Sequence, residues 1–147
     1  MTFRLTSTAF AQGGQIPSEY TCDGAGRRPP MSWSGAPADT AELALIMDDP
    51  DARGFVHWVV TGIPASTTEL GDALPPGALE GRTDFGRTGY GGPCPPSGTH
   101  RYVTTLYALS EPLGLTGTLN ALDVRRAARG ITLGTAVLTG VYGPRRR

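Results

Sequence analysis

A chain of 147 residues with 21 glycines and 13 prolines has little room for long helices. Each proline removes a backbone donor, and each glycine weakens the interior of a regular element. Such punctuation predicts many short strands joined by turns. Three apolar, β-prone runs survive it, Glu42 to Met47, Phe55 to Ile63 and Tyr102 to Leu109. The first stops at Asp48-Asp49-Pro50 and the second at Pro64. Phe3 to Ser7 alternates apolar and polar residues and reads as a first strand. Met31 to Ser34 reads as a short strand, and Ile131 to Tyr142 resumes β character. Residues 12–30 and most of 64–99 are dense in turn residues and read as loops. A loop as long as the second is usually functional. One helix is expected, capped by Asn120, with Asp123 in its first turn and Gly130 at its end. Ala121, Val124, Arg125 and Ala128 would share one side of it. The expected fold is a mostly β, antiparallel domain with one helix near the C-terminus.

The length suits one domain spanning residues 1–147. No apolar run approaches the ~20 residues of a membrane-spanning helix. The N-terminus Met1-Thr2-Phe3-Arg4-Leu5 lacks a signal-peptide pattern, so cytoplasmic residence is expected. Thirteen basic residues balance 13 acidic ones, which argues against a nucleic-acid partner. Every basic residue is arginine, the better bidentate partner for anions. Arg145-Arg146-Arg147 reads as a solvated tail. In the cytoplasm Cys22 and Cys94 are expected as free thiols, with a disulfide or reactive pair as the alternative. They lack CxxC spacing, so neither a metal site nor a cofactor is expected.

Three segments could carry chemistry. Asp48-Asp49-Pro50-Asp51-Ala52 lies where a strand ends, a place from which scaffolds present side chains to a cleft. Pro50 fixes the backbone between Asp49 and Asp51. The plainer reading of Asp-Pro-Asp is a turn. In Phe55 to Val60, alternation puts Phe55, His57 and Val59 on one face, and Val56, Trp58 and Val60 on the other. Both faces are apolar, so the strand is central. His57 then needs a hydrogen-bonding partner, and a satisfied core histidine is the plainer reading. The third segment runs from Gly91 to Tyr102. Its glycines allow close backbone approach to a ligand, and its prolines stiffen the loop. His100 and Tyr102 share a face and offer ring N–H and phenol O–H donors. Arg101 points the other way, placed for a structural ion pair with one of the aspartates. The plainer reading here is a stiff surface loop. Yet His57 and His100 are the chain's only histidines, and each adjoins a special loop. Together the segments suggest one shallow pocket for an oxyanion such as phosphate. The aspartates would orient a histidine, meet a cationic part of the ligand, or stay protonated through crowding.

In this order the segments resemble the phosphatidylethanolamine-binding protein family, and more narrowly its bacterial Raf-kinase-inhibitor-like branch. Asp49-Pro50-Asp51-Ala52 matches the family's D-P-D-x-P motif, with Arg53 where proline is expected. Gly98-Thr99-His100-Arg101 matches its G-x-H-R motif, Tyr102 follows as expected, and His57 matches its strand histidine. Tyr20-Thr21-Cys22-Asp23-Gly24, Pro30-Met31-Ser32-Trp33-Ser34-Gly35 and Gly89 to Pro96 suggest the bacterial branch. The resemblance runs from about Phe10 to Gly143. It implies an antiparallel β-sandwich with Greek-key character and one or a few short peripheral helices. It implies a pocket for phosphate-like groups lined by Asp49, Asp51, His57, His100 and Tyr102, with Gly92, Cys94 and Pro95 as its loop wall. Arg53 would make the rim less rigid and add a charge. The short loop between Asp51 and His57 would open the mouth.

The leading functional expectation is a non-catalytic binding module for a small anionic or phosphorylated ligand. Phosphate, a phosphorylethanolamine-like headgroup and a phosphorylated protein segment all qualify. Such a module could regulate a partner, as a Raf kinase inhibitor would. The second expectation is a small acid–base enzyme, an isomerase or cyclase, using the Asp/His pocket. The third is a protease or kinase inhibitor acting through a surface loop, although no reactive-loop signature is readable. Related bacterial proteins suggest a homodimer.

Overall fold

The computed structural model describes residues 2–143, so the Arg145-Arg146-Arg147 tail lies outside the described residues. In chain order the elements are β1 (Arg4–Thr6), β2 (Met31–Ser34), β3 (Glu42–Asp49), β4 (Phe55–Pro64), β5 (Glu69–Leu70), β6 (Leu79–Glu80), β7 (His100–Leu109), α1 (Ala121–Ala128) and β8 (Thr132–Tyr142). Single 3-10 turns cover Ser18–Tyr20 and Pro50–Ala52. Two antiparallel sheets result, ordered β1-β2-β5 and β6-β4-β3-β7-β8. The chain leaves β4, passes through β5 and β6, and returns as β7 on the far side of β3. That crossing gives the sandwich its Greek-key character.

Side-chain alternation explains the layers. Leu5, Met31, Trp33 and Leu70 of the small sheet face Leu43, Leu45, Met47, Trp58 and Leu106 of the large one, all of them buried. Each fully buried side chain of this kind contributes roughly 1.5–3 kcal/mol. The outer face of the large sheet is covered by α1, where Ala121, Val124 and Ala128 pack over Ala44, Ile46 and Val59. A helix this short would not persist alone and depends on that packing. Asn120 accepts from the Asp123 N–H at 2.8 Å, and the Asp123 carboxylate accepts from the Asn120 N–H at 3.1 Å, a reciprocal cap. Arg125 reaches from the helix to Asp48 at 2.8 Å.

The facing expected for β4 needs correction. Met47 pairs with Trp58, but Asp48 pairs with Val56, which leaves His57 as an extra residue in the strand. This bulge breaks the two-residue alternation. Val56 therefore joins Val59 on the helix side, while Trp58 and Val60 face the other sheet. The His57 ring sits 5.2 Å from the Tyr102 ring on that inner side.

The free thiols expected at Cys22 and Cys94 are also corrected, because the two form a disulfide. The loops that carry them are in register. The Cys22 N–H donates to the Pro93 carbonyl at 3.1 Å, and the two Cα atoms lie 5.4 Å apart, within bridging range. Behind this junction a half-buried ion pair fixes the first long loop. Arg28 donates to both Glu80 oxygens at 2.8 Å, and Trp58 Nε1 donates to the same carboxylate at 2.9 Å.

Candidate functional site

β3, β4 and β7 end side by side, and the side chains at those ends meet in a cavity of about 200 Å³. Asp49, the last residue of β3, is 2% exposed, which for a carboxylate demands partners. One oxygen accepts from the Asp51 N–H at 2.8 Å, and the other accepts from His100 Nδ1 at 2.6 Å. A carboxylate can only accept here, so His100 carries its proton on Nδ1 and turns Nε2 toward the cavity. His57, at the bulge of β4, is buried and donates from Nδ1 to the Gly91 carbonyl at 2.7 Å. The Gly91 N–H returns a bond to the His57 carbonyl at 2.9 Å, clamping the glycine-rich loop to β4. Tyr102 lies edge-on to His57 and roughly parallel to His100 at 6.5 Å.

Electrostatics divides the roles. Burial pushes the His57 pKa down, partly offset by the Gly91 carbonyl and by Asp49. Neutral His57, with its Nδ1 proton committed, offers the cavity a bare Nε2 acceptor. It becomes a donor there only by taking up a proton. Burial, then Asp49 and Asp51, push the Tyr102 phenol up, so it remains an O–H donor at neutral pH. Among the described residues, no arginine lines the cavity. Arg101 is committed to Asp51, with Nη2 at 3.0 Å and Nε at 3.1 Å, and its backbone N–H adds a bond at 2.8 Å. That guanidinium holds the Asp51 carboxyl down at about 2. Among the described residues that line the cavity, histidine is the side chain that can supply positive charge, by taking up a proton.

The structure brings Asp49, His57, Cys94, Pro95, His100 and Tyr102 to one cavity. It does not bring Asp51 there, because that carboxylate turns to Arg101 at the rim. Gly92 stands one layer behind, where an added Cβ would lie 2.6 Å from the Tyr20 carbonyl oxygen. Two aromatic walls escaped the sequence reading. Phe55 and Phe85 pack edge-to-face at 4.9 Å, and each also meets the His57 ring edge-on. Arg87 lies over the outer face of Phe85 at 5.2 Å. The available signal for Phe85 was an aromatic within a glycine-rich loop that also holds Tyr90.

The family model of phosphatidylethanolamine-binding protein matches residues 6–143. The chain belongs to the phosphatidylethanolamine-binding protein family. A UPF0098 protein of Methanothermobacter thermautotrophicus is 47% identical over 94% of this chain and 97% of its own length. A Mycobacterium tuberculosis chain named as a lipoprotein, LppC, is 47% identical over 86% of this chain and 67% of its own. Among solved structures, the Chlamydia trachomatis homologue CT736 superposes with a TM-score of 0.92 at 34% identity, covering 98% of this chain and 99% of that one. Escherichia coli YbcL gives 0.90 at 34%, covering 99% and 100%. Against the family's D-P-D-x-P motif, Arg53 now has a structural setting. It adopts φ 57, and Gly54 follows at φ 76. Proline's ring forbids that conformation. The departure from the motif thus goes with a different backbone path. The Gly54 N–H donates to the Asp49 carbonyl at 2.9 Å, which ties the short β3–β4 connection.

Among the described residues, no helix is long and apolar enough to cross a membrane.

Proposed function

We propose that this family member binds a small phosphate-type oxyanion, free or carried on a phosphorylated molecule, and takes up a proton as it does so. The supporting observation is that His57, His100 and Tyr102 converge on a cavity lined by a buried carboxylate and, among the described residues, no arginine. A dianion beside Asp49 would be repelled. A protonated histidine, or a proton on the ligand itself, removes that penalty and supplies the donor that neutral His57 lacks. Asp49 serves as the orienter of His100, and the aromatic walls limit water around the bound group. A phosphorylated side chain of a partner protein presents the same chemistry, so a regulatory role through such a partner follows from the same pocket. Backbone NMR should show shifts at Gly91, His57 and His100 when phosphate or phosphorylethanolamine is added at millimolar level near pH ~6. The reading fails if those signals do not move at any pH from about 5 to 8.

One observation favours a second reading, acid–base catalysis. The buried Asp49 holding His100 Nδ1 at 2.6 Å is the arrangement of an oriented general base. Turnover that depended on it would fall by about 10²-fold or more in Asp49→Asn. Turnover unchanged in that variant rules the dyad out as catalyst.

Location follows the redox state. The cytoplasm expected from the N-terminal sequence would keep Cys22 and Cys94 reduced, whereas the bridged form belongs to oxidising surroundings. Alkylation of the chain as isolated from its native compartment distinguishes the two.

A further inference from the structure

Resting on the anion-pocket reading for its effect on binding, we propose that Cys22–Cys94 is a thiol–disulfide exchange site that holds or releases the front wall of the pocket. Both cysteines are exposed, so a dithiol in solution can reach the sulfurs. Cys94 lines the anion cavity and also a neighbouring cavity of about 470 Å³ bounded by Thr21, Gly24, Tyr90 and Arg87. Phe85 lines both cavities as well, so the bridge forms part of the partition between them.

The frame on either side of the bridge is held by other bonds. On one side, the Tyr90 hydroxyl donates to the Tyr20 carbonyl at 2.7 Å, and Gly91 and His57 exchange two bonds. On the other, Thr21 Oγ1 donates to the Ser18 carbonyl at 2.8 Å, the Gly24 N–H donates to the Thr21 carbonyl at 3.2 Å, and the Tyr142 hydroxyl donates to Asp23. The segment after Cys94 differs. Among the described residues, 94–99 contribute no loop backbone–backbone hydrogen bond, and Pro95 and Pro96 have no N–H to give. This segment, which carries the Pro95-Pro96 wall of the anion cavity, is tethered by the bridge at one end and by β7 at the other.

The exchange balances as two successive displacements. A thiolate of the dithiol attacks one sulfur of the bridge, forming a mixed disulfide and releasing the other cysteine as a thiol. The second thiol of the reagent then displaces the first cysteine. The bridge gains two electrons and two protons, and the dithiol becomes a disulfide. Reduction leaves Asp49, His57 and His100 in place but frees the proline wall, opening the partition. Loss of that preorganised wall should weaken phosphate binding by about tenfold.

The test uses the full chain with dithiothreitol as reductant and inorganic phosphate as probe, alongside a Cys22→Ser/Cys94→Ser double variant. Thiol labelling confirms reduction, near-UV circular dichroism reports folding, and backbone NMR order parameters at Ser97, Gly98 and Thr99 report the wall independently of any ligand. Lower order parameters confined to these three residues support release of the wall, with about tenfold weaker phosphate binding as the expected consequence. If the oxidised chain binds no phosphate, the anion reading fails, and the order parameters alone decide the wall. A bridge that resists dithiothreitol in the folded chain overturns the proposal, as do unchanged order parameters at these residues. Global unfolding on reduction overturns it too, because the bridge would then be a staple of the fold.

Discussion

At Arg53 the backbone, more than any side-chain contact, decides which residues are tolerated. The residue sits in the left-handed region at φ 57, which costs an L-amino acid roughly 1 kcal/mol and is closed to proline. Restoring the family motif with Arg53→Pro should therefore destabilise the chain by about 3 kcal/mol or more in urea titration. Arg53→Gly, which relieves the torsion but adds unfolded-state freedom, should remain within about 1 kcal/mol of the parent. A stable Arg53→Pro variant would mean the turn can switch to the family's backbone path. Thr104 poses the opposite case. Its Oγ1 is buried without a hydrogen-bond partner among the described residues, on a β7 residue only 1% exposed. An unmade bond of this kind carries a desolvation penalty, so Thr104→Val should leave stability unchanged or raise it by about 1 kcal/mol. A clear loss would reveal a water or partner at that hydroxyl. Sequence could not announce either feature. Arg53 matched the motif's spacing while departing from its torsion, and Thr104 looks like any strand threonine.

Strands were legible where the apolar runs were long, because glycine and proline bounded them sharply. β3 and β7 each reach two residues beyond the expected ends at Met47 and Tyr102, and those additions carry Asp49 and His100. Polar residues at strand ends read as loop in sequence, yet ladder pairing with β4 and β8 extends over them. The His57 bulge was illegible for a related reason. Alternation assumes one residue opposite one, and only the partner strand reveals two opposite one. The motif order made the shared pocket legible, whereas its aromatic wall depends on a loop with no periodicity to read. That wall makes a differential prediction at Gly91 and Gly92. A Cβ at Gly91 would come within 2.2 Å of the Phe85 ring, a partly exposed side chain that can swing away. A Cβ at Gly92 would meet the Tyr20 backbone oxygen at 2.6 Å, which cannot. Gly92→Ala should therefore cost about 1–3 kcal/mol in chemical denaturation. Gly91→Ala should cost less than Gly92→Ala yet disturb phosphate binding by displacing Phe85. Equal stability losses would show that the two glycines pack against equally rigid neighbours.

Across the whole molecule, the bridge and the charges act on different reference states. Cys22–Cys94 spans 72 residues of sequence, and on the chain-entropy account a loop of that size contributes about 4 kcal/mol by restricting the unfolded chain. Nothing local in the sequence encodes this, because the two loops meet only once both sheets have formed. The Cys22→Ser/Cys94→Ser variant should lose about that much in denaturant titration while keeping its circular dichroism. Protonation acts mainly on the folded state. Arg101 holds Asp51 at about 2, and Arg28 holds Glu80 below the usual carboxylate range. Both groups bind protons less readily folded than unfolded, so their stabilisation is complete above the unfolded carboxylate pKa near ~4 and is lost as pH falls through the folded values. His57, pushed down by burial, has the same sign over a higher window. Its contribution is complete above the unfolded histidine pKa of about 6.5 and declines as pH falls below it. The ligand-free chain should therefore melt at a lower temperature near pH ~5.5 than near pH ~8. Phosphate should oppose this trend. If binding takes up a proton, affinity strengthens by up to about tenfold per pH unit on acidification, and the phosphate-induced rise in Tm grows over the interval in which the free chain weakens. A pH-independent increment would mean that the oxyanion is held without protonated histidine. Among the described residues, a cavity lined by a buried Asp49 and no arginine offers no other full positive charge for that task.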